Sequence, residues 1–222
     1  MKRIIFLLVT ILVLSCFAVS RAQFGNAGPD FYGDFKPVMG SWSEYQITGA
    51  NPSKMKIAIV GKEDVSYWYE MVTETKGEGR TITKMLISGD PKAQNNVKKM
   101  IVKTGDEPAM EMPAAMGQQL PKREAAGQQP AAVDKGTETI TVPAGTFTAQ
   151  HLQYKNGQDL VDVWINKDVP PYGLIKSKSK TQEMVLIGHG TGAKTEISET
   201  PQKFEMPQMP KGFPEGMMPK GK

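Results

Sequence analysis

Residues Glu138–Ser179 read ETITVPAGTFTAQHLQYKNGQDLVDVWINKDVPPYGLIKSKS. Runs rich in Val, Ile, Thr, Tyr, Phe and Trp are separated there by two turn signals, Pro143-Ala144-Gly145 and Asn156-Gly157. β-Branched and aromatic residues suit a pleated surface, and short runs of them between turn residues read as an antiparallel meander. The segment therefore decides the fold class, a mainly β protein, without pointing to an activity.

Asn156-Gly157 predicts a type I′ turn, in which both central residues take positive φ. That turn would set Lys155 opposite Gln158, Tyr154 opposite Asp159, Leu152 opposite Val161, His151 opposite Asp162 and Ala149 opposite Trp164. One face then carries Leu152, Tyr154, Val161, Val163 and Ile165, and the other Phe147, His151, Leu160, Asp162 and Trp164. Apolar residues on both faces call for cover on both, from a helix, a second sheet or a ligand.

Upstream, the period-two pattern of half-buried strands recurs over Ser41–Ile47, Lys54–Gly61, Val65–Thr75 and Arg80–Ser88. Met55, Ile57 and Ile59 share one face of the second run, and in the third Val65, Tyr67, Tyr69 and Met71 oppose Trp68 and Val72. One packed α-helix is expected between Asp90 as cap, Pro91 in the first turn and Gly105 at the end, with Ala93, Val97, Met100 and Ile101 on one side. Residues 106–135 are rich in Pro, Gln and Met and read as a long loop; residues 201–222, rich in Met, Pro and Lys, read as a disordered tail. Residues 23–40 form an irregular lead-in, so one β-rich domain is expected over 41–200 as a bent antiparallel sheet or half-barrel.

The first 22 residues have the pattern of a secretory leader: Lys2 and Arg3, an apolar run from Ile4 to Leu14, and Ser20-Arg21-Ala22 before the expected cleavage. Val13-Leu14-Ser15-Cys16 offers the alternative of a lipid anchor on Cys16. A periplasmic or secreted location follows. Because Cys16 is the one cysteine, either cut leaves no internal thiol for disulfides, nucleophilic catalysis or metal binding. Three of the 27 basic residues lie in the leader, so 24 remain against 23 acidic ones and the net charge falls from +4 to +1. That balance gives no basic footprint for nucleic acid.

Gly188–Thr195 nearly matches a phosphate-binding loop, but Ala193 replaces the second glycine and no helix pattern follows, so it reads as a glycine-rich hairpin turn and no nucleotide is assigned. His151 and Asp162 lack a nucleophile and read as a cross-strand polar pair. Lys176, Lys178 and Lys180 line one face of a strand, as lysines that keep an edge soluble do. Met206, Met209, Met217 and Met218 carry soft thioethers, yet copper(I) tracts are denser in ligands, so no metal or cofactor is assigned. Trp68, Trp164 and Phe147 are the candidate lining of a ligand groove, with Met110, Met112 and Met116 as its flexible cover.

Val142-Pro143-Ala144-Gly145-Thr146-Phe147, Val163-Trp164-Ile165 and Val169-Pro170-Pro171-Tyr172-Gly173-Leu174-Ile175-Lys176 resemble a pattern in bacterial envelope proteins similar to the outer-membrane lipoprotein carrier group. The resemblance implies a curved antiparallel half-barrel with helices across its mouth, and lipid binding. It covers residues 137–200 and brings no catalytic residue. The expected function is non-catalytic binding of an apolar ligand, an acyl chain or a lipoprotein, in the concave face. The alternative is an envelope interaction or structural module with no small-molecule ligand, whose partner is another envelope protein.

Overall fold

The computed structural model describes residues 33–91, 96–113, 132–156 and 159–204. Twelve strands follow one another along the chain: β1 (Trp42–Gly49), β2 (Ser53–Glu63), β3 (Ser66–Thr75), β4 (Gly79–Ile87), β5 (Val97–Thr104), β6 (Met110–Met112), β7 (Val133–Val142), β8 (Gly145–Asn156), β9 (Asp159–Ile165), β10 (Leu174–Lys178), β11 (Gln182–Gly190) and β12 (Gln202–Lys203). They form one open sheet in the order β12-β6-β5-β4-β3-β2-β1-β11-β10-β9-β8-β7. Every neighbouring pair is antiparallel except β12 with β6.

Two meanders make up this order, β1 to β6 and β7 to β11, each built from consecutive neighbours. The β1–β11 pair joins them, with Trp42 opposite Gly190 and Tyr45 opposite Leu186 after a register shift. At the β7 end the sheet curls. Strands lie about 4.8 Å apart, so β7 and β11, four places apart, would sit roughly 19 Å from each other in a flat sheet. Instead the Ala144 amide, in the β7–β8 turn, donates to the Leu186 carbonyl at 3.4 Å.

The alternation read from the sequence positions the core. Met55, Ile57 and Ile59 from β2 and Tyr69 from β3 are buried with Tyr45, Ile87, Val163, Tyr172, Leu174, Ile175 and Leu186 in one cluster that draws on both meanders. Tyr67 and Met71 pack against this cluster, while Val72 and Trp68 join a second one on the opposite face with Ile82, Ile101, Ala109 and Ile197. Both faces of β3 to β5 are therefore covered.

The expected helix is not present among the described residues; Val97–Thr104 is strand β5, paired to β4, and residues 92–95 lie outside the described set. The physical reason is that Met100 packs in the first cluster and its neighbour Ile101 in the second. Two adjacent apolar residues buried on opposite faces mimic the i, i+3, i+4 spacing of Val97, Met100 and Ile101 on a helix, and a run this short does not discriminate.

The β8–β9 register also differs from expectation. Asn156 pairs with Asp159, Tyr154 with Val161, Leu152 with Val163 and His151 with Trp164. The last pair is Asn156 with Asp159, where Lys155 with Gln158 was expected, and residues 157 and 158 lie outside the described set. A shift of two keeps every side chain on its expected face, because strand side chains repeat every two residues.

The lead-in is structured from residue 33 onward. Phe35 sits 6.2 Å from the Tyr69 ring and 5.3 Å from that of Tyr172, and the Lys36 amide donates to the Pro171 carbonyl at 2.7 Å. Within 106–135, Met110–Met112 is β6 and Val133 begins β7; within 201–222, Gln202 and Lys203 form β12. The leader, Cys16, Met116 and the four tail methionines fall outside the described residues.

Candidate functional site

Two side-chain constellations stand out, one on each meander. The first is a ladder across β7 to β10. His151 on β8 lies opposite Trp164 on β9, and Trp164 lies opposite Lys176 on β10. The imidazole stacks on the indole with centroids 4.5 Å apart and planes 17° from parallel. The Lys176 ammonium stands 5.6 Å from the indole centroid and pairs with Glu183 at 2.7 Å. Both imidazole nitrogens face carboxylates: Nδ1 is 3.1 Å from Glu138 of β7, and Nε2 is 2.9 Å from Asp162 of β9. Asp162 lies diagonal to His151, whereas its direct partner Gln153 donates to it at 3.0 Å. The Trp164 indole N–H donates to Glu138 as well. The ladder ties the edge strand β7 to its neighbours through charged and aromatic contacts. It holds no serine, threonine or cysteine in nucleophilic position, and among the described residues no three His, Cys, Asp or Glu side chains are arranged around a metal position.

The second constellation lies on the outer face of β2 to β5. After β11 the chain crosses this face as a strap, Ala193 to Pro201, before entering β12. Ile197 is its one buried residue and packs with Val72, Ile82, Ile101 and Ala109. Beside it Glu70 is 2% exposed, with both carboxylate oxygens engaged. The Thr195 hydroxyl donates to Oε2 at 2.6 Å and the Glu196 amide to Oε1 at 2.9 Å. Burial pushes the Glu70 carboxyl above the usual carboxylate range, against the Thr195 hydrogen bond and the attraction of Lys84, Lys56 and Arg80. The Glu196 carboxylate pairs with Lys56 at 3.2 Å and with Arg80. Glu199 pairs with Lys103, whose hydrogen bond is the main cause holding the Glu199 carboxyl below its ordinary range. Lys84 stands 5.0 Å from the Trp68 ring centroid.

The residues expected to line one groove are spread over the sheet. Trp68 packs in the outer cluster, whereas Phe147 and Trp164 pack against the inner one from its margin. The Phe147 ring lies 5.6 Å from that of His189. Met110 and Met112 belong to β6, where Met112 lines a surface depression of about 240 Å³ with Lys98, Glu111, Lys203 and Phe204. Gly188 and Gly190 belong to β11 rather than to a turn. A Cβ on Gly190 would meet the Trp42 indole at 3.0 Å, so the glycines there make room for an aromatic ring.

The sequence reading missed the strap. The local signal was slight, a single apolar residue, Ile197, between the acids Glu196 and Glu199. What periodicity does not reveal is that such a segment lies across a sheet instead of within it.

No protein-family model and no curated protein sequence matches the chain. Among solved structures, MucB in complex with MucA(peri) is similar, with TM-score 0.43 and 11% identity over 74% of this chain. This chain spans about half of MucB, 54% of its length. A presumed exported protein with a YmcC-like fold from Bacteroides fragilis gives TM-score 0.36 at 10% identity, covering 72% of this chain and 100% of that one. A presumed lipoprotein from Parabacteroides distasonis gives 0.36 at 14%, covering 73% and 100%.

Proposed function

We propose that the chain is an exported protein of the bacterial envelope and that it acts without catalysis, as a module that binds another envelope protein. The leader pattern of residues 1–22 supports export. The observation that carries the binding mode is the state of the sheet's inner face. Tyr45, Ile57, Ile59, Leu174, Ile175 and Leu186 are 0% exposed, and Tyr69 and Tyr172 are 3% and 2% exposed. The Tyr45 hydroxyl is spent inside this cluster on the Leu174 carbonyl at 3.1 Å. Burial raises the phenol pKa of Tyr45, Tyr69 and Tyr172 far above the ordinary value. An acyl chain needs an apolar lining open to it; this one is closed on itself. Among the described residues, the features turned outward include the edge strand β7, exposed along most of its length, the charged ladder of His151, and the strap with its basic surround.

The test uses the full chain with its own leader, tagged at the C-terminus and cross-linked in intact cells. The expected result is a discrete cross-linked protein in the envelope fraction, and native mass spectrometry showing the mature mass without an added acyl mass. A stoichiometric acyl ligand in that spectrum would overturn the reading in favour of an apolar-ligand carrier. A product still carrying Met1–Ala22 in the cytosol would remove the location.

A further inference from the structure

We infer that the outer face of β2 to β5 is a recognition groove for an extended acidic protein segment, held in cis by the chain's own strap. This deepens the interaction-module reading and rests on it. The partner it fits is a segment of another protein with the pattern Thr-Glu-aliphatic-x-Glu.

Each part of that pattern has a receptor. The aliphatic side chain enters the socket of Val72, Ile82, Ile101 and Ala109, where Ile197 now sits. The preceding acid is received by Lys56 and Arg80, and the later acid by Lys103, as Glu196 and Glu199 are in the strap. Glu70 receives the segment's hydroxyl and one backbone amide. A buried carboxylate with both oxygens engaged by one crossing segment recognises that segment's backbone as much as its side chains. The groove is basic around an apolar centre, and its complement is acidic around an aliphatic residue.

The strap is built to leave. It crosses the strands rather than pairing along them, and backbone hydrogen bonds hold it at its two ends. The Ala193 amide donates to the Gly40 carbonyl at 2.9 Å, and that of Gln202 to Ala109 at 2.8 Å. Gly192, at φ +83° and with open space where a side chain would stand, lies between β11 and the strap. Between these ends it is retained by one buried isoleucine, by the two hydrogen bonds to Glu70 and by partly exposed ion pairs, and the ion pairs hold weakly. An element with one buried side chain opens ahead of the strands beneath it. A tethered segment has an effective concentration in the millimolar range, so a competitor at ordinary concentration is excluded until the strap is loosened. The strap is thus an internal competitor, and its release uncovers both the groove and the β6 edge that β12 covers.

The test titrates a fluorescein-labelled peptide with the sequence of Gly192–Phe204 into the full chain carrying Ile197→Ser, read by anisotropy. The expected result is saturable binding about tenfold or more tighter than to the wild-type chain, whose groove is filled. Binding weakens by about tenfold or more when the chain also carries Arg80→Glu, or when lysine replaces the glutamate at position 196 of the peptide. Glu196→Lys in the chain loosens the strap without touching the apolar socket and serves if Ile197→Ser fails to fold by circular dichroism. Peptide binding no better than wild type by a folded variant overturns the inference. So does unfolding of both variants, which would make the strap part of the core. A dimer that dissociates on adding peptide would replace the partner with a second copy and overturn the heterologous assignment. A flat titration beside a cross-linked envelope partner removes the groove and leaves the module standing; peptide binding with an acyl ligand in the native spectrum does the reverse.

Discussion

Glu70 shows how far a single side chain can be read. Its carboxylate is buried and carries the Thr195 hydroxyl and the Glu196 amide. Glu70→Leu leaves that amide without an acceptor and should cost about 2 kcal/mol in urea unfolding. Glu70→Gln keeps one acceptor oxygen and removes the buried charge, so it should stay within about 1 kcal/mol of wild type at neutral pH. The pH dependence has a definite sign. Because burial raises the folded pKa above the unfolded value, the folded chain binds the proton more tightly. The Glu70 contribution is therefore most favourable below the unfolded pKa and is lost as pH rises through the folded one. Wild type should lose stability relative to Glu70→Gln as pH rises above the ordinary carboxylate range. A difference of the opposite sign would show that the lysines outweigh burial. Gly173 is a second residue-scale case. It sits at φ +72°, and a Cβ there would meet the Asn166 carbonyl oxygen at 2.9 Å. Gly173→Ala should lower stability by about 1–2 kcal/mol from the backbone conformation alone, with the contact adding to it.

Among the elements, β5 carries the clearest prediction. Met100 and Ile101 are adjacent, and each is buried in a different cluster, at 4% and 8% exposure. Met100→Ala and Ile101→Ala should each cost about 2–4 kcal/mol by denaturant midpoint. On a strand with one solvated face, one of the two would be nearly silent. The same residues explain what was legible beforehand. Strands whose two faces differ in polarity or in aromatic content, such as Ser66–Thr75 with Tyr69 against Trp68, announce their alternation. Val97–Thr104 does not, because the strap covers its second face, and nothing in its local pattern reports a segment arriving from about a hundred residues later. Asn156-Gly157 marked the hairpin correctly, yet Asn156 is itself paired with Asp159, so turn chemistry located the loop to within a residue and not its register. The His151–Asp162 contact survived that shift because a diagonal neighbour on the same face remains within reach of a long side chain.

At the scale of the whole molecule the question is whether two meanders make one folding unit. They meet through the β1–β11 ladder, and the inner cluster draws Tyr45, Ile57 and Tyr69 from one and Val161, Val163 and Leu186 from the other. Neither meander closes its apolar face alone, so they should unfold together. The tryptophans make this measurable. Trp42 and Trp68 belong to the first meander and Trp164 to the second. In chains reduced to Trp68 alone or Trp164 alone by Phe substitution elsewhere, the two fluorescence transitions in urea should coincide with each other and with circular dichroism, the signature of a two-state process. Leu186→Ala at the seam opens a cavity beneath both meanders and should lower both midpoints equally, by the equivalent of about 2–5 kcal/mol. If the Trp164 transition moves while that of Trp68 stays in place, the β7–β11 meander is a separate unit, and the buried inner face must be ascribed to each half in its own right.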